Sequence, residues 1–200
     1  MKVITLNKVK FNNASSELYN MVEVKPDLII GILNGGGHVV RSIANQFDNE
    51  NLNYIFIKLQ RESTNKKENK IIKFLFSIMP YWFLDYLRKI ESIKSQKSLK
   101  KIILSELNKI KIEIECDEIT PINNILIVDD AIDTGKTMYI IKQNLSKLYK
   151  NTNIKTAVIS WTLKDSIIKP DVCLFENVLV RFPWSRDYKA KDYNEKSISY

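Results

Sequence analysis

The sequence predicts an α/β domain: a mainly parallel twisted sheet flanked by helices, with a helical insertion or hood. Three observations carry this. A strand, glycine turn, helix and strand follow one another over residues 27–59. A second strand, turn, helix and strand begin at Ile125. The five glycines, Gly31, Gly35, Gly36, Gly37 and Gly135, all fall at the carboxyl ends of predicted strands. In open α/β sheets that edge is where ligands bind.

The elements follow in order. Ser15 or Ser16 is expected to cap a short helix holding Leu18, Met21 and Val22. "DLIIGIL" (residues 27–33) is a short, β-branched apolar run and reads as a buried strand. It enters "NGGG" and then "HVVRSIANQF", where Val39, Ile43 and Phe47 recur at helical spacing. "NYIFIKL" is the next strand. The pattern then breaks. Residues 60–70, "QRESTNKKENK", are polar and charged, and residues 71–107 read as helical, rich in aromatic residues and interrupted by Pro80. The α/β pattern returns with a strand over residues 125–128. An amphipathic helix over residues 137–149 carries Ile140, Ile141, Leu145 and Leu148 on one face. "KTAVISW" is another strand, and "VCLFENVLVRFPW" supplies one or two more. No repeat or linker interrupts this order, so residues 1–200 are expected to form one domain with a helical insertion at about 60–115.

Composition narrows the function. The chain has 200 residues and is 44% hydrophobic, enough for a core. Its net charge is +8, but the lysines are spread along the chain, so nucleic acid and membrane partners are not expected. Cys116 and Cys173 are far apart and His38 is the only histidine, which argues against a zinc site or a disulfide framework. His38 reads as a helix-start residue rather than an acid–base catalyst. The amino terminus lacks an apolar signal core, and no apolar run reaches the roughly 20 residues that span a bilayer. A cytoplasmic, reducing setting is expected.

The chemistry concentrates in "VDDAIDTGKT". Asp129 and Asp130 are expected just past a buried strand, where paired carboxylates suit two neighbouring hydroxyls or a hydrated divalent cation. Thr134, Gly135, Lys136 and Thr137 lead into a helix, and their N–H groups and hydroxyls make an anion cradle. A diol on one side and a phosphate on the other describe a ribose 5-phosphate. A P-loop would need glycine five positions before Gly135. Asp130 stands there, and its charge would repel phosphates.

This stretch resembles the phosphoribosyl-pyrophosphate motif of type I phosphoribosyltransferases, and "DTGKTM" is most similar to the hypoxanthine-guanine/xanthine (6-oxopurine) branch. The resemblance implies that Asp129 and Asp130 hold the ribose 2- and 3-hydroxyls, with Ala131 in the same matched stretch. It implies that Asp133 is the acid beside the base, and that residues 134–137 hold the 5-phosphate. "IGILNGGGHVVRSIA" stands where the family carries its pyrophosphate loop. Asn34, Gly35 and Gly36 are the expected contacts, Asn34 replacing the usual basic residue. Residues 60–70 fall at the family's flexible loop, where closure excludes water. Lys58 and Arg61 are the expected pyrophosphate contacts there. Lys164 is placed like the lysine that meets the purine 6-oxygen. Residues 178–180, with Leu179 and Val180, would lie beside the base. Leu179 stands where related enzymes usually stack an aromatic residue, and Trp184 is open to reading as core.

The resemblance implies a purine-salvage reaction. Phosphoribosyl pyrophosphate is the donor, and Mg2+ is held mainly through water and ligand at Asp129 and Asp130. A small acceptor attacks the sugar, Asp133 takes or holds its proton, and pyrophosphate leaves. A homodimer is expected. Two other readings stay open: a non-catalytic regulator or sensor on the same fold, and a transferase with a non-purine acceptor. The resemblance covers residues 27–54 and 125–184 but not residues 81–108. There "FLFSIMPYWFL" fits a hood or an oligomer interface better than a membrane-surface helix, with Lys94, Lys97, Lys100 and Lys101 on a solvated face.

Overall fold

A computed structural model describes residues 1–47, 52–59, 76, 78–112 and 121–193. The expected flexible loop at residues 60–70, with Arg61, lies outside the described residues. Five strands form one all-parallel sheet: β2 (Leu28–Ile32), β3 (Tyr54–Ile57), β4 (Asn124–Ile132), β5 (Asn153–Trp161) and β6 (Val172–Glu176), in the order β3-β2-β4-β5-β6. The α/β expectation therefore holds. Strand β2 pairs with β3 on one side and with β4 on the other. The chain thus runs outward from β2 to β3, then returns to build β4, β5 and β6 across the sheet. The topological switch point lies between β2 and β4, and the crevice at their carboxyl ends is the expected ligand position.

Period-2 alternation explains how β4 serves two cores. Leu126 and Val128 join the cluster containing Phe11 and Leu18 of α1 (Lys8–Asn20) and Val39, Val40 and Ile43 of α2 (Gly35–Gln46). Ile125 and Ile127 join the opposite cluster, with Met138, Ile141 and Leu145 of α5 (Lys136–Leu148). All of these side chains are essentially sealed from water. A strand buried on both faces needs a continuous apolar run, which "ILIV" supplies.

Three expectations change. Helix α1 starts at Lys8, where the Asn7 side chain accepts the Lys10 N–H at 2.9 Å. Ser15 and Ser16 lie inside it and cap nothing; the Ser15 hydroxyl instead donates to the Phe11 carbonyl at 3.0 Å. Strand β4 extends to Ile132, so the acid pair lies within its last turns rather than beyond it. Finally β7 (Val178–Arg181) leaves the main sheet and pairs in parallel with β1 (Lys2–Thr5), an amino-terminal strand with no sequence signal of its own.

The helical insertion is anchored on this β1–β7 pair. Helix α3 (Tyr81–Leu99) begins directly after Pro80, whose extended backbone ends the preceding segment. A short α4 (Leu104–Leu107) follows. Helix α3 turns Leu84, Arg88 and Ser92 inward; Arg88 donates to the Val180 carbonyl at 3.1 Å. Trp82, Tyr86 and Ile93 face outward and are exposed. Among the described residues no helix is long and apolar enough to cross a membrane.

Candidate functional site

The switch point brings the two predicted motifs into direct contact. Helix α2 begins at Gly35, immediately beyond β2, and its first turn lies over the end of β4. The Gly36 N–H donates to Asp129 Oδ1 at 3.1 Å, joining residues 93 positions apart. The same carboxylate oxygen accepts the Asp130 N–H at 2.9 Å. Only glycine permits this approach. A Cβ on Gly36 would stand 2.2 Å from the Val128 carbonyl oxygen. Asn34 is exposed at the amino-terminal end of α2, and its side chain makes no capping bond there.

The acid pair acts as a unit. Burial pushes the Asp130 carboxyl above the usual aspartate value, with Asp129, the Ala131 backbone and Trp184 pulling against it. Ala131 continues the strand beside Ser160 of β5. The oxygens of the pair are hard donors of the kind magnesium prefers. Among the described residues no group of three metal-ligating side chains is present. The pair therefore fits a cation whose remaining coordination comes from ligand oxygens and water.

The second turn is built for an anion. Gly135 caps α5 with φ of 81°, a left-handed conformation that favours glycine. Its carbonyl accepts the Tyr139 N–H at 2.9 Å, so the helix starts at once and leaves its first N–H groups facing the turn. No acid lies in the first turn to compete with a phosphate. A neighbouring loop braces this turn: the Ile167 N–H donates to the Thr134 carbonyl at 3.0 Å, and Ile168 packs over Gly135. Thr134 and Thr137 are half-buried and Lys136 is exposed.

Asp133 is exposed at the mouth of the crevice. It accepts a hydrogen bond from the Thr162 hydroxyl, which also donates to the Ile132 carbonyl at 2.9 Å. The loop that follows carries Lys164, exposed and 4.0 Å from Glu176. Lys58 is exposed just beyond β3, at the same sheet edge. Leu179 and Val180 are both buried in β7, opposite Val3 and Ile4 of β1. The structure thus brings together Gly35, Gly36, Asp129 and Asp130, and braces residues 134–137 beside them. It sets Leu179 and Val180 into packing.

Sequence reading missed three contributors. Thr162 orients Asp133, and its signal was a hydroxyl one residue past a strand, at the sheet edge that carries the glycines. Ile167 and Ile168 brace the turn at residues 134–137 through a contact that no local pattern encodes. Trp184 packs against His38 with ring centroids 4.3 Å apart.

Comparison with known proteins follows the same lines. The family model described as phosphoribosyl transferase domain matches residues 6–172. No curated protein sequence matches the chain significantly. Among solved structures, the chain is similar in fold to a purine phosphoribosyltransferase from Pyrococcus horikoshii Ot3, with a TM-score of 0.56 and 20% identity over 98% of this chain and 100% of that one. It is similar to the xanthine-guanine-hypoxanthine phosphoribosyltransferase of Helicobacter pylori, with a TM-score of 0.58 and 15% identity over 92% and 94% of the two chains. A hypothetical protein from Neisseria gonorrhoeae with bound ppGpp gives a TM-score of 0.54 and 15% identity, covering 92% and 89%.

Proposed function

The chain belongs to the phosphoribosyl transferase domain family, and from that premise we propose that it transfers the phosphoribosyl group of phosphoribosyl pyrophosphate to a nucleobase, a 6-oxopurine, and releases pyrophosphate. The observation that carries this reading is the meeting of the glycine turn with the acid pair at the switch point, 3.1 Å apart at Gly36 and Asp129. Diphosphate and diol sites must adjoin in such a donor, because the two groups sit on neighbouring carbons of one sugar.

The chain's residues divide the work by their chemistry. The amides of Gly35 and Gly36, with Asn34, receive the diphosphate at the start of α2. Asp129 and Asp130 accept the ribose hydroxyls. Residues 134–137 hold the 5-phosphate, which fixes the sugar at both ends and turns the reaction into an oriented displacement. Positive charge develops at the anomeric carbon as the diphosphate leaves, and the acid pair lies on the sugar side to stabilise it. Asp133, oriented by Thr162, takes or holds the proton of the attacking ring nitrogen. When bound, magnesium supplies charge neutralisation on the departing diphosphate, and Asp129 and Asp130 are the residues that would hold it. Lys58 and Arg61 are assigned to the diphosphate and Lys164 to the base.

One observation favours a second acceptor class. Leu179 is buried, and it stands where related enzymes stack an aromatic residue on the purine. The test is pyrophosphate release with magnesium, phosphoribosyl pyrophosphate and each of hypoxanthine, guanine, xanthine and adenine. Release that depends on the base and is lost in Asp133→Asn establishes the transferase. Binding of phosphoribosyl pyrophosphate without release for any purine overturns the purine reading, leaving a non-purine acceptor or a regulator.

A further inference from the structure

The first turn of α2 is the part of the site least able to hold itself. It begins with three consecutive glycines, Gly35, Gly36 and Gly37, and glycine is the poorest helix former after proline. The Asn34 side chain makes no capping bond, and no acid lies in the turn to meet the helix dipole. The first side chain that can be gripped is that of His38, which is buried. Two residues of the C-terminal segment grip it. The Trp184 indole stacks on the imidazole with centroids 4.3 Å apart and planes 20° from parallel. The Tyr193 hydroxyl and His38 Nδ1 share a hydrogen bond of 2.8 Å. Both partners are themselves fixed. Phe182 stacks on Trp184 at 4.9 Å, and Phe11 of α1 meets Trp184 edge-on at 4.9 Å and Tyr193 edge-on at 6.2 Å. Beside Tyr193, the Asp192 carboxylate accepts the Lys8 N–H at the start of α1 at 3.0 Å and the Tyr188 hydroxyl at 2.6 Å.

We infer that Tyr193 is a positioning residue for the diphosphate half of the site: by its hydrogen bond to His38 it holds the glycine turn of α2 in the conformation that presents its amides. This rests on the transferase reading. Ordinary core packing does not account for His38. Leucine or phenylalanine would fill a buried slot on α2 without the desolvation cost of an imidazole. That cost is offset only where the ring is hydrogen-bonded, and the bond then fixes the ring's orientation as well as its place. One peptide unit joins His38 to Gly37, so a fixed imidazole fixes the end of the glycine run. The run is then held at two points: the Gly36 N–H on Asp129 at 3.1 Å inside the crevice, and His38 on the C-terminal segment outside it. A diphosphate needs several N–H groups converging at once. A turn free to fray offers them one at a time, and ordering it on binding would cost affinity.

The test compares Tyr193→Phe with the wild-type chain by calorimetry, in magnesium, using inorganic pyrophosphate and ribose 5-phosphate as separate probes. Phenylalanine keeps the ring and removes the hydroxyl. Affinity for pyrophosphate should fall about five-fold, the scale of one hydrogen bond, in a variant that still melts cooperatively. Affinity for ribose 5-phosphate, assigned to residues 134–137, should not change. In a His38→Phe background, which keeps a ring against Trp184 and removes Nδ1, Tyr193→Phe should add nothing. Unchanged pyrophosphate binding, equal losses for both probes, or additive losses in the double variant overturn the inference and leave Tyr193 a packing residue. Amide hydrogen exchange supplies a ligand-free readout. The Gly36 and Gly37 N–H groups should exchange faster in Tyr193→Phe, while the Tyr139 N–H of α5 keeps its rate. If the wild-type chain binds neither probe, the transferase reading falls. Exchange then still decides whether Tyr193 holds the turn, and unmoved rates at Gly36 and Gly37 overturn it.

Discussion

A Cβ added to Gly35 would stand 2.1 Å from the Asp130 Cγ. The glycine turn and the acid pair are therefore one surface, built by the absence of a side chain. Gly35→Ala must push Asp130 out of its place. The displaced group is a side chain, so the fold should survive with an overpacking cost of about 1–3 kcal/mol. Binding should not. Calorimetry is expected to show no measurable affinity for phosphoribosyl pyrophosphate in a variant that still melts cooperatively. Wild-type affinity in Gly35→Ala would show that Asp130 is not held where the ligand needs it.

Gly135 makes a different demand, set by backbone rather than by a partner. Its φ of 81° lies in the left-handed region, and an added Cβ would come within 2.8 Å of the Ile168 side chain. Gly135→Ala should cost about 1–3 kcal/mol from the conformation alone. It should also tilt the N–H groups of the turn away from the 5-phosphate. The expected result is weakened binding of ribose 5-phosphate with binding of inorganic pyrophosphate intact. Equal weakening of both would mean that the damage spreads through the sheet edge.

The sheet and its two turns were legible because each is local. "ILIV" needs only burial on both faces, and each glycine turn follows its strand within a few residues. What stayed hidden is non-local. Strand β1 has no signal of its own, and is a strand because β7 pairs with it, Lys2 opposite Val178. Arg181 is only 1% exposed because Asp85 arrives from α3 and Asp187 turns back from six residues on. Trp184 reads as core. Its stack on His38 joins residues 146 positions apart, which no periodicity records. The resemblance aligns Leu179 with a base-stacking position; it is buried in β7, opposite Val3 of β1.

Thr162 offers a test of how Asp133 is held. Its hydroxyl is shared between Asp133 and the Ile132 carbonyl, while its own N–H independently satisfies that carbonyl at 2.9 Å. Thr162→Val removes the hydroxyl with little change of shape and orphans no backbone group. Asp133 would then sample other rotamers at the exposed mouth of the site. Turnover should fall about ten-fold, the scale of one hydrogen bond to a carboxylate. KM for phosphoribosyl pyrophosphate should stay the same, since that ligand is held elsewhere. A change in KM without a change in kcat would place Thr162 in binding rather than in orienting Asp133.

The charged cluster under α3 is expected to contribute to the acid stability of the chain. Arg181 donates to Asp187 at 2.8 Å and to Asp85 at 2.6 Å, and Arg88 grips Asp187 with two further bonds at 2.8 and 2.5 Å. Burial alone would raise the Asp187 carboxyl, but the hydrogen bonds and charges of Arg88 and Arg181 outweigh it and hold it below the usual aspartate value. The unfolded chain therefore takes up this proton at a higher pH than the folded one. The stabilisation is complete above about pH 4, the ordinary aspartate value, and is lost as pH falls through the depressed folded value. Asp187→Asn leaves two guanidinium groups facing a neutral amide, and should cost about 3–5 kcal/mol at neutral pH. Its stability should also fall less steeply than the wild type's below pH 4, although Asp171, likewise held low, keeps part of the slope. Denaturant melts at pH 7 and pH 3 read both effects. If the wild type and Asp187→Asn lose stability equally between those two pH values, the cluster is not what ties the insertion to β7 in acid.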